Sequence, residues 1–204
     1  VSVGAPAADA AVRPATPADA AAVGAVHARA WESSYADLFP PEVLRRSLDP
    51  GTLATAWRAA VASPPSARHR VLVATATDMV TGFAALAPAA DPDTRPDDAE
   101  VVALEVDPAH RRAGHGSRLL NAVADTAREL GFRRLLAWVP EPDTARCDFL
   151  AGAGVLPDGA RRVRATDAGG GGDTTGRAAA EPGWPEVRVA AELTGRDDGP
   201  KVSA

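Results

Sequence analysis

The run "AEVVALEVDPAHRRAGHGSRLLNAVADTARELG", residues 99–131, changes its hydrophobic period once and abruptly. Up to Val106 it is rich in valine and leucine and reads as the clearest strand in the chain, ended by Asp107-Pro108. From Gly116 the spacing is helical, with Leu119, Leu120, Val123, Ala127 and Leu130 on one face and Gly131 as the stop. The loop between holds Arg111, Arg112, Gly114 and Gly116, with Arg118 just inside the helix. A helix start exposes unpaired amide hydrogens and a partial positive charge, and glycine lets an anion approach them closely. The arrangement suits a phosphate or pyrophosphate, and the plain alternative is a glycine turn with solvated arginines. It is neither a P-loop, which needs Gly-Lys-Ser/Thr, nor the G-x-G-x-x-G dinucleotide fingerprint.

Around this unit the elements alternate. Residues 1–10 read as a loose arm, and "VRP" as a short first strand. Thr16, Pro17 and Asp19 open a helix whose apolar stripe is Ala22, Val23, Val26 and Ala30. "PPEVLRRSL" reads as a short second helix, and a third runs from Asp49 to the stop at Pro64. "RVLVAT" and "MVTGFAAL" form an antiparallel hairpin, and "ADPDTRPDD" is a loop. "RRLLAWV" is a strand, "DTARCDFLAGA" a short helix, and "ARRVRAT" and "PEVRVAAEL" are two final strands. The glycine-rich stretch 167–184 joins those strands as a loop, and 195–204 is a disordered tail. This is one mixed α/β domain over 11–194.

Composition removes several classes of function. A formal net charge of −5 argues against a nucleic-acid coat. The single cysteine, Cys147, excludes internal disulfides and cysteine metal sites and fits a reducing, cytoplasmic setting. No stretch is apolar enough for a membrane span, and the first residues lack a secretory signal's pattern. His110 and His115 flank the arginines without a third ligand at metal-like spacing, so no metal site is expected.

The loop resembles the acyl-CoA-binding segment of the GNAT superfamily of N-acetyltransferases. Arg111, Gly114 and Gly116 fill the pattern Arg/Gln-x-x-Gly-x-Gly/Ala. "LEVDP" looks like the strand end that precedes it, "FLAGAGVLPDGARRV" is similar to the family's Phe-Tyr-x-x-x-Gly-Phe segment, and "VRPATPADAAAVGAVHARAW" resembles its opening. The resemblance covers residues 11–194. It implies a mainly antiparallel central sheet flanked by helices and splayed between the fourth and fifth strands. Acetyl-CoA would lie in that gap, its pantetheine on the backbone of Leu104 and Val106 beside Glu105, and its pyrophosphate on the segment Arg111, Arg112, Ala113, Gly114, His115, Gly116 and Ser117. Asp143 stands where many members carry asparagine beside the cofactor, Leu150 replaces the usual acid, a tyrosine, and Val155 replaces the second phenylalanine.

The implied chemistry is acetyl transfer to an amine, carried by a small molecule or a peptide, by direct attack in a ternary complex. An alkyl ammonium, with a pKa of about 10, must lose a proton first, and the family-implied oxyanion donor is the Val106 N–H. Glu100 matches a glutamate used as base in the histone-acetylating branch, and Glu105 is the second carboxylate on the strand. Strand alternation puts Glu100, Val102, Leu104 and Val106 on one face and Glu105 on the other. A carboxylate in mid-strand needs a partner or solvent. Tyr35, the single tyrosine, and Trp31 one turn before it fall in the segment that corresponds to the family's substrate-facing helices. Tyr35 is a candidate proton donor, and both are candidates for the acceptor pocket or for aromatic packing. The rival reading is a non-catalytic acyl-CoA-binding sensor. Members of the family often pair, so a homodimer is compatible with the resemblance.

Overall fold

The computed structural model describes residues 10–37, 41, 44, 48–164 and 183–193. The arm expected over 1–10 lies outside the described residues except for Ala10, which belongs to β1, and the short helix expected over 40–48, most of the glycine-rich stretch and the tail also fall largely or wholly outside them. The elements are β1 (Ala10–Pro14), α1 (Ala20–Tyr35), α2 (Pro50–Ala62), β2 (Arg70–Ala76), β3 (Met79–Pro88), β4 (Asp98–Val106), α3 (His115–Glu129), β5 (Arg134–Pro140), α4 (Thr144–Gly152), β6 (Leu156–Arg164) and β7 (Trp184–Glu192). Short 3₁₀ turns at Pro17–Asp19 and Pro108–His110 introduce α1 and the glycine loop.

All seven strands form one sheet in the order β1-β2-β3-β4-β5-β7-β6. Every pairing is antiparallel except β4 with β5. Period-two alternation divides the side chains between two cores. Leu72, Ala74, Ala84 and Leu86 face α3, where they meet Leu119, Leu120, Val123 and Ala127. Val73 and Phe83 face the other way, onto Val23 and Val26 of α1, with Trp57 of α2 beside them. Helices α1 and α2 cross at Gly24, where a Cβ would lie 2.7 Å from the Ala54 nitrogen. That approach requires glycine.

One departure from simple alternation shapes everything that follows. Ala85 pairs with Ala103, but Leu86 pairs with Val101, so Val102 is an extra residue in β4, a β-bulge. The bulge flips the pattern expected from the sequence. Ala99, Val101, Leu104 and Val106 all pack toward α3, while Ala103 packs toward α1. Glu100 therefore shares its face with Ala103 and Glu105 and not with Leu104 and Val106. Val102 itself is 58% exposed.

Strand β6 begins at Leu156, four residues earlier than its sequence suggested. "PDG" looks like a turn, but Gly159 at φ +93° sits in a further irregularity between Pro157 and Arg161. Proline and a bulge are both tolerated there because β6 is an edge strand.

The β2–β3 hairpin carries a local strain. Its two loop residues, Thr77 (φ 48°) and Asp78 (φ 65°), both lie in the left-handed region, the geometry of a type I′ turn. A β-branched threonine is poorly suited to it. Replacing the pair by Asn-Gly (Thr77→Asn with Asp78→Gly) should stabilise the fold by roughly 1–2 kcal/mol. That corresponds to a rise of about 2–4 °C in Tm per kcal/mol for a domain of this size. An unchanged or lower Tm in calorimetry would contradict the strain argument.

Candidate active site in the parting of the sheet

Strands β4 and β5 pair over three positions only: Asp98 with Arg134, Ala99 with Leu135 and Glu100 with Leu136. Beyond Glu100 they separate, while β5 stays paired to β7 as far as Pro140 with Glu186. On its other side β4 remains bound to β3. The Asp107 N–H donates to the Thr81 carbonyl at 2.9 Å. Antiparallel bonding alternates, so Glu105 also bonds toward β3, and the peptide groups of Leu104 and Val106 turn toward the gap. Two guanidinium groups approach these carbonyls, Arg146 Nη1 at 3.3 Å from Leu104 O and Arg111 Nε at 3.4 Å from Val106 O.

The gap is a cleft of about 1110 Å³. The glycine loop forms one end. Gly114, at φ +80°, is the N-cap of α3, and the first intrahelical bond runs from the Arg118 N–H to the Gly114 carbonyl at 3.1 Å. The amides of His115, Gly116 and Ser117 therefore lack helical acceptors and mark the positive end of the helix. Arg112 is also left-handed, at φ 62°, so two left-handed residues bend this backbone. Gly116 faces the Phe149 ring, which would lie 3.4 Å from a Cβ at that position.

The arginines of the loop divide their work. Arg111 bonds to α1, through Ala30 O at 3.3 Å and Ser34 Oγ at 3.0 Å. Arg118 folds back onto the Ala113 carbonyl at 3.1 Å. Arg112 is exposed. Beneath the loop, Asp107 caps the turn through the Ala109 N–H at 3.0 Å and accepts from Arg29 Nε, also at 3.0 Å. Burial works against its charge, but these donors outweigh that and hold its pKa below the usual carboxylate range. His115 is buried with its ring nitrogen 3.2 Å from the Thr81 hydroxyl, and burial lowers its pKa.

The opposite half of the cleft is built on a charged network. Glu105 is 4% exposed and accepts both its bonds from Arg146 Nη2, at 3.0 and 2.9 Å, and a third from Trp31 Nε1 at 3.2 Å. Arg146 Nε also donates to Asp143 Oδ2 at 3.1 Å. Asp143 caps α4 through the Arg146 N–H at 3.0 Å and accepts the Tyr35 hydroxyl at 2.8 Å. Burial pushes the Tyr35 phenol well above its ordinary pKa, so it remains a donor. Burial opposes the charge on Arg146, but Glu105 and its neighbours prevail and it stays cationic. His27 is lowered by burial and is neutral at pH 7, and its Nδ1 accepts from Trp57 Nε1 at 3.1 Å.

The cleft gathers most of the residues singled out from the sequence: Trp31, Tyr35, Leu104, Glu105, Val106, Arg111, Arg112, Gly114, His115, Gly116, Ser117 and Asp143 all line it. Ala113 and Glu100 do not. Glu100 sits before the strands part, and burial raises its carboxyl pKa among Arg162, Asp91, Arg164 and Glu186. Arg146 is the central residue that sequence reasoning passed over. Its signal was the three-residue helical spacing from Asp143. His27, Trp57, Trp138 and Glu186 also line it, without any motif to announce them.

The model of the acetyltransferase (GNAT) family matches residues 28–154. The chain belongs to this family. No curated protein matches its sequence. Among solved structures, it is similar to the PaiA N-acetyltransferase of Thermoplasma acidophilum in complex with coenzyme A: 15% identity, TM-score 0.61, with 90% of this chain and 99% of that one covered. YncA from Salmonella typhimurium, solved with its cofactor acetyl-CoA, is 20% identical with TM-score 0.60, covering 95% and 99%. The ribosomal-protein-alanine N-acetyltransferase of Brucella melitensis is 20% identical with TM-score 0.64, covering 89% and 99%. The mixed sheet and its splay between the fourth and fifth strands are those of the GNAT fold.

The network around Arg146 makes a prediction about stability. Arg146→Met leaves Glu105 and Asp143 without their shared cation, which should cost about 3–5 kcal/mol. Arg146→Lys keeps the charge, but an ammonium cannot bridge two carboxylates and a carbonyl as the planar fork does, so an intermediate loss is expected. Denaturant unfolding of both variants tests the order wild type, Lys, Met, and equal stability of all three would remove the network from its structural role.

Proposed function

We propose that the chain is an acetyl-CoA-dependent N-acetyltransferase that moves the acetyl group directly to an amine within a ternary complex. One observation carries the reading: the main chain of Leu104 and Val106 turns into the same cleft that three residues with free amides at the α3 N-terminus line. Such a surface recognises a long ligand that is amide-like at one end and anionic at the other. The glycines fit it, because Gly114 holds a left-handed φ of +80° at the helix cap and a side chain at Gly116 would press on the Phe149 ring that lines the cleft. When bound, acetyl-CoA supplies an acetyl group activated as a thioester.

The chain's own groups then divide the remaining tasks. The Leu104 carbonyl and the Val106 peptide pair with the pantetheine arm, and the amides from Arg112 to Ser117 hold the diphosphate. The Val106 N–H is the donor placed for negative charge that develops on the transferred carbonyl oxygen. Glu105 borders the cleft, so it draws the ammonium and receives its proton through water, with Arg146 and Trp31 fixing its position. Glu100 lies behind the point of separation and is too remote for that step. Tyr35 keeps its proton on Asp143 and anchors the acceptor side. A thiolate leaving group, with a pKa of about 8.5 as a free thiol, is protonated by water without a dedicated acid at Leu150.

Calorimetry with acetyl-CoA is the direct test. Wild type should bind, and Gly114→Val, which puts a β-branched residue at φ +80°, should lose at least about tenfold in affinity. An absence of heat with wild type at millimolar acetyl-CoA would sink the reading. Binding without turnover on a broad amine panel would leave an acyl-CoA sensor.

The two carboxylates are separated by pH–rate profiles. Glu105→Gln should lower turnover by about 10²-fold or more with cofactor affinity retained. Glu100→Gln should leave the acid limb in place. Because the Glu100 pKa is raised, a base at this position would make activity fall as pH drops through that raised value. Loss of that limb in Glu100→Gln alone would move the base role back to Glu100.

A further inference from the structure

Resting on that reading, we propose that the acceptor is a primary amine carried by an uncharged, ring-bearing apolar body, and not an amino acid. The end of the cleft away from the glycine loop is walled by rings. His27 lies 5.6 Å from Trp31 and 5.8 Å from Trp57, and Trp31 lies 5.0 Å from Tyr35. Leu48 and, from β5, Trp138 extend the apolar surface.

The charges on this side are spent on one another. Arg146 serves both Glu105 and Asp143, so at this point of the wall two carboxylates share one guanidinium. Glu186 accepts from Arg162 Nε at 2.6 Å and from Trp184 Nε1 at 3.1 Å. An ammonium entering here meets a carboxylate and aromatic faces, both of which favour it. A carboxylate entering here meets Glu105, Asp143 and Glu186. Among the described residues, Arg164 is the cation of this end not held at hydrogen-bond distance by a carboxylate. It is 4.0 Å from Glu186, with a side chain 55% exposed, and it makes a zwitterionic acceptor the competing outcome.

Trp184 at the start of β7 packs with Tyr35, Leu44 and Leu48 and adds a further ring and apolar contacts beside this wall.

Two probes isolate the claim, because 2-phenylethylamine and L-phenylalanine differ only by the α-carboxylate. Ligand-observed NMR titration of the full chain should give a Kd for 2-phenylethylamine at least about tenfold below that for L-phenylalanine, the scale of one well-placed group. Ethanolamine, a primary amine without the ring, should bind more weakly than 2-phenylethylamine. Trp31→Phe, which keeps a ring but loses the bond to Glu105, should weaken 2-phenylethylamine binding severalfold while leaving acetyl-CoA affinity unchanged. Equal or tighter binding of L-phenylalanine, with that preference removed by Arg164→Ala, would overturn the proposal in favour of an amino-acid acceptor. Equal binding of ethanolamine and 2-phenylethylamine would overturn it as well. Failure of acetyl-CoA to bind in parallel calorimetry bears instead on the acetyltransferase reading, since the amine titrations are made without it.

Discussion

The separation of β4 from β5 is the constraint on which the rest of the molecule depends. A sheet normally satisfies the backbone of an interior strand on both sides, and buried peptide groups without partners are costly. Here β4 is satisfied by β3 along its length, but by β5 only up to Glu100. The peptide groups beyond that point need another partner. In the protein alone, Arg146 and Arg111 approach two of the carbonyls. A ligand that offers amides of its own completes the sheet more fully. The cleft is therefore a missing length of β-ladder, with the unsatisfied end of α3 placed at its mouth.

Arg146 stands opposite this opening and links its two banks. Helix α4 follows β5, and the guanidinium crosses from it to Glu105 and to the Leu104 carbonyl on β4. Through Asp143 it also reaches the Tyr35 hydroxyl on α1. Helix α4, strand β4 and helix α1 are thus tied together by side chains, with Arg146 and Asp143 at the centre. Burying such a group is favourable only because every donor direction used meets an acceptor. The geometry explains why a mid-strand carboxylate is stable at Glu105, and it fixes that carboxylate at the cleft wall.

How much of this could be read from the sequence depended on whether its cause was local. The strand–loop–helix unit was legible because its hydrophobic period changes within a few residues, and Gly114 sits where α3 has a left-handed cap. The order of elements followed for the same reason. The bulge at Val102 was not legible. Valine is an ordinary strand residue, and what displaces it is the register against β3, formed by residues 85 and 86. That single extra residue moved Glu100 to the face of Glu105, which keeps the side opposite Leu104 and Val106. Arg146 was hidden in another way. Its spacing from Asp143 is local, but Glu105 and Leu104 lie 41 and 42 residues away, and only the fold brings them within reach.

These two kinds of legibility map onto the two halves of the cleft. The half that faces the cofactor loop is made largely of main chain, and its demands on the sequence are few: glycine where φ is positive and a helix that begins on time. Such demands survive wide divergence, which is consistent with relatives of the same fold at 15–20% identity. The other half is made of side chains, Trp31, Trp57, Glu105, Arg146 and Glu186, each fixed by a partner distant in sequence. Its chemistry can change without touching the loop, provided that each buried charge keeps a counter-charge. Arg146 and Glu105 can therefore vary only together, whereas Trp57, which donates to the uncharged His27 ring, can vary with the shape of the acceptor.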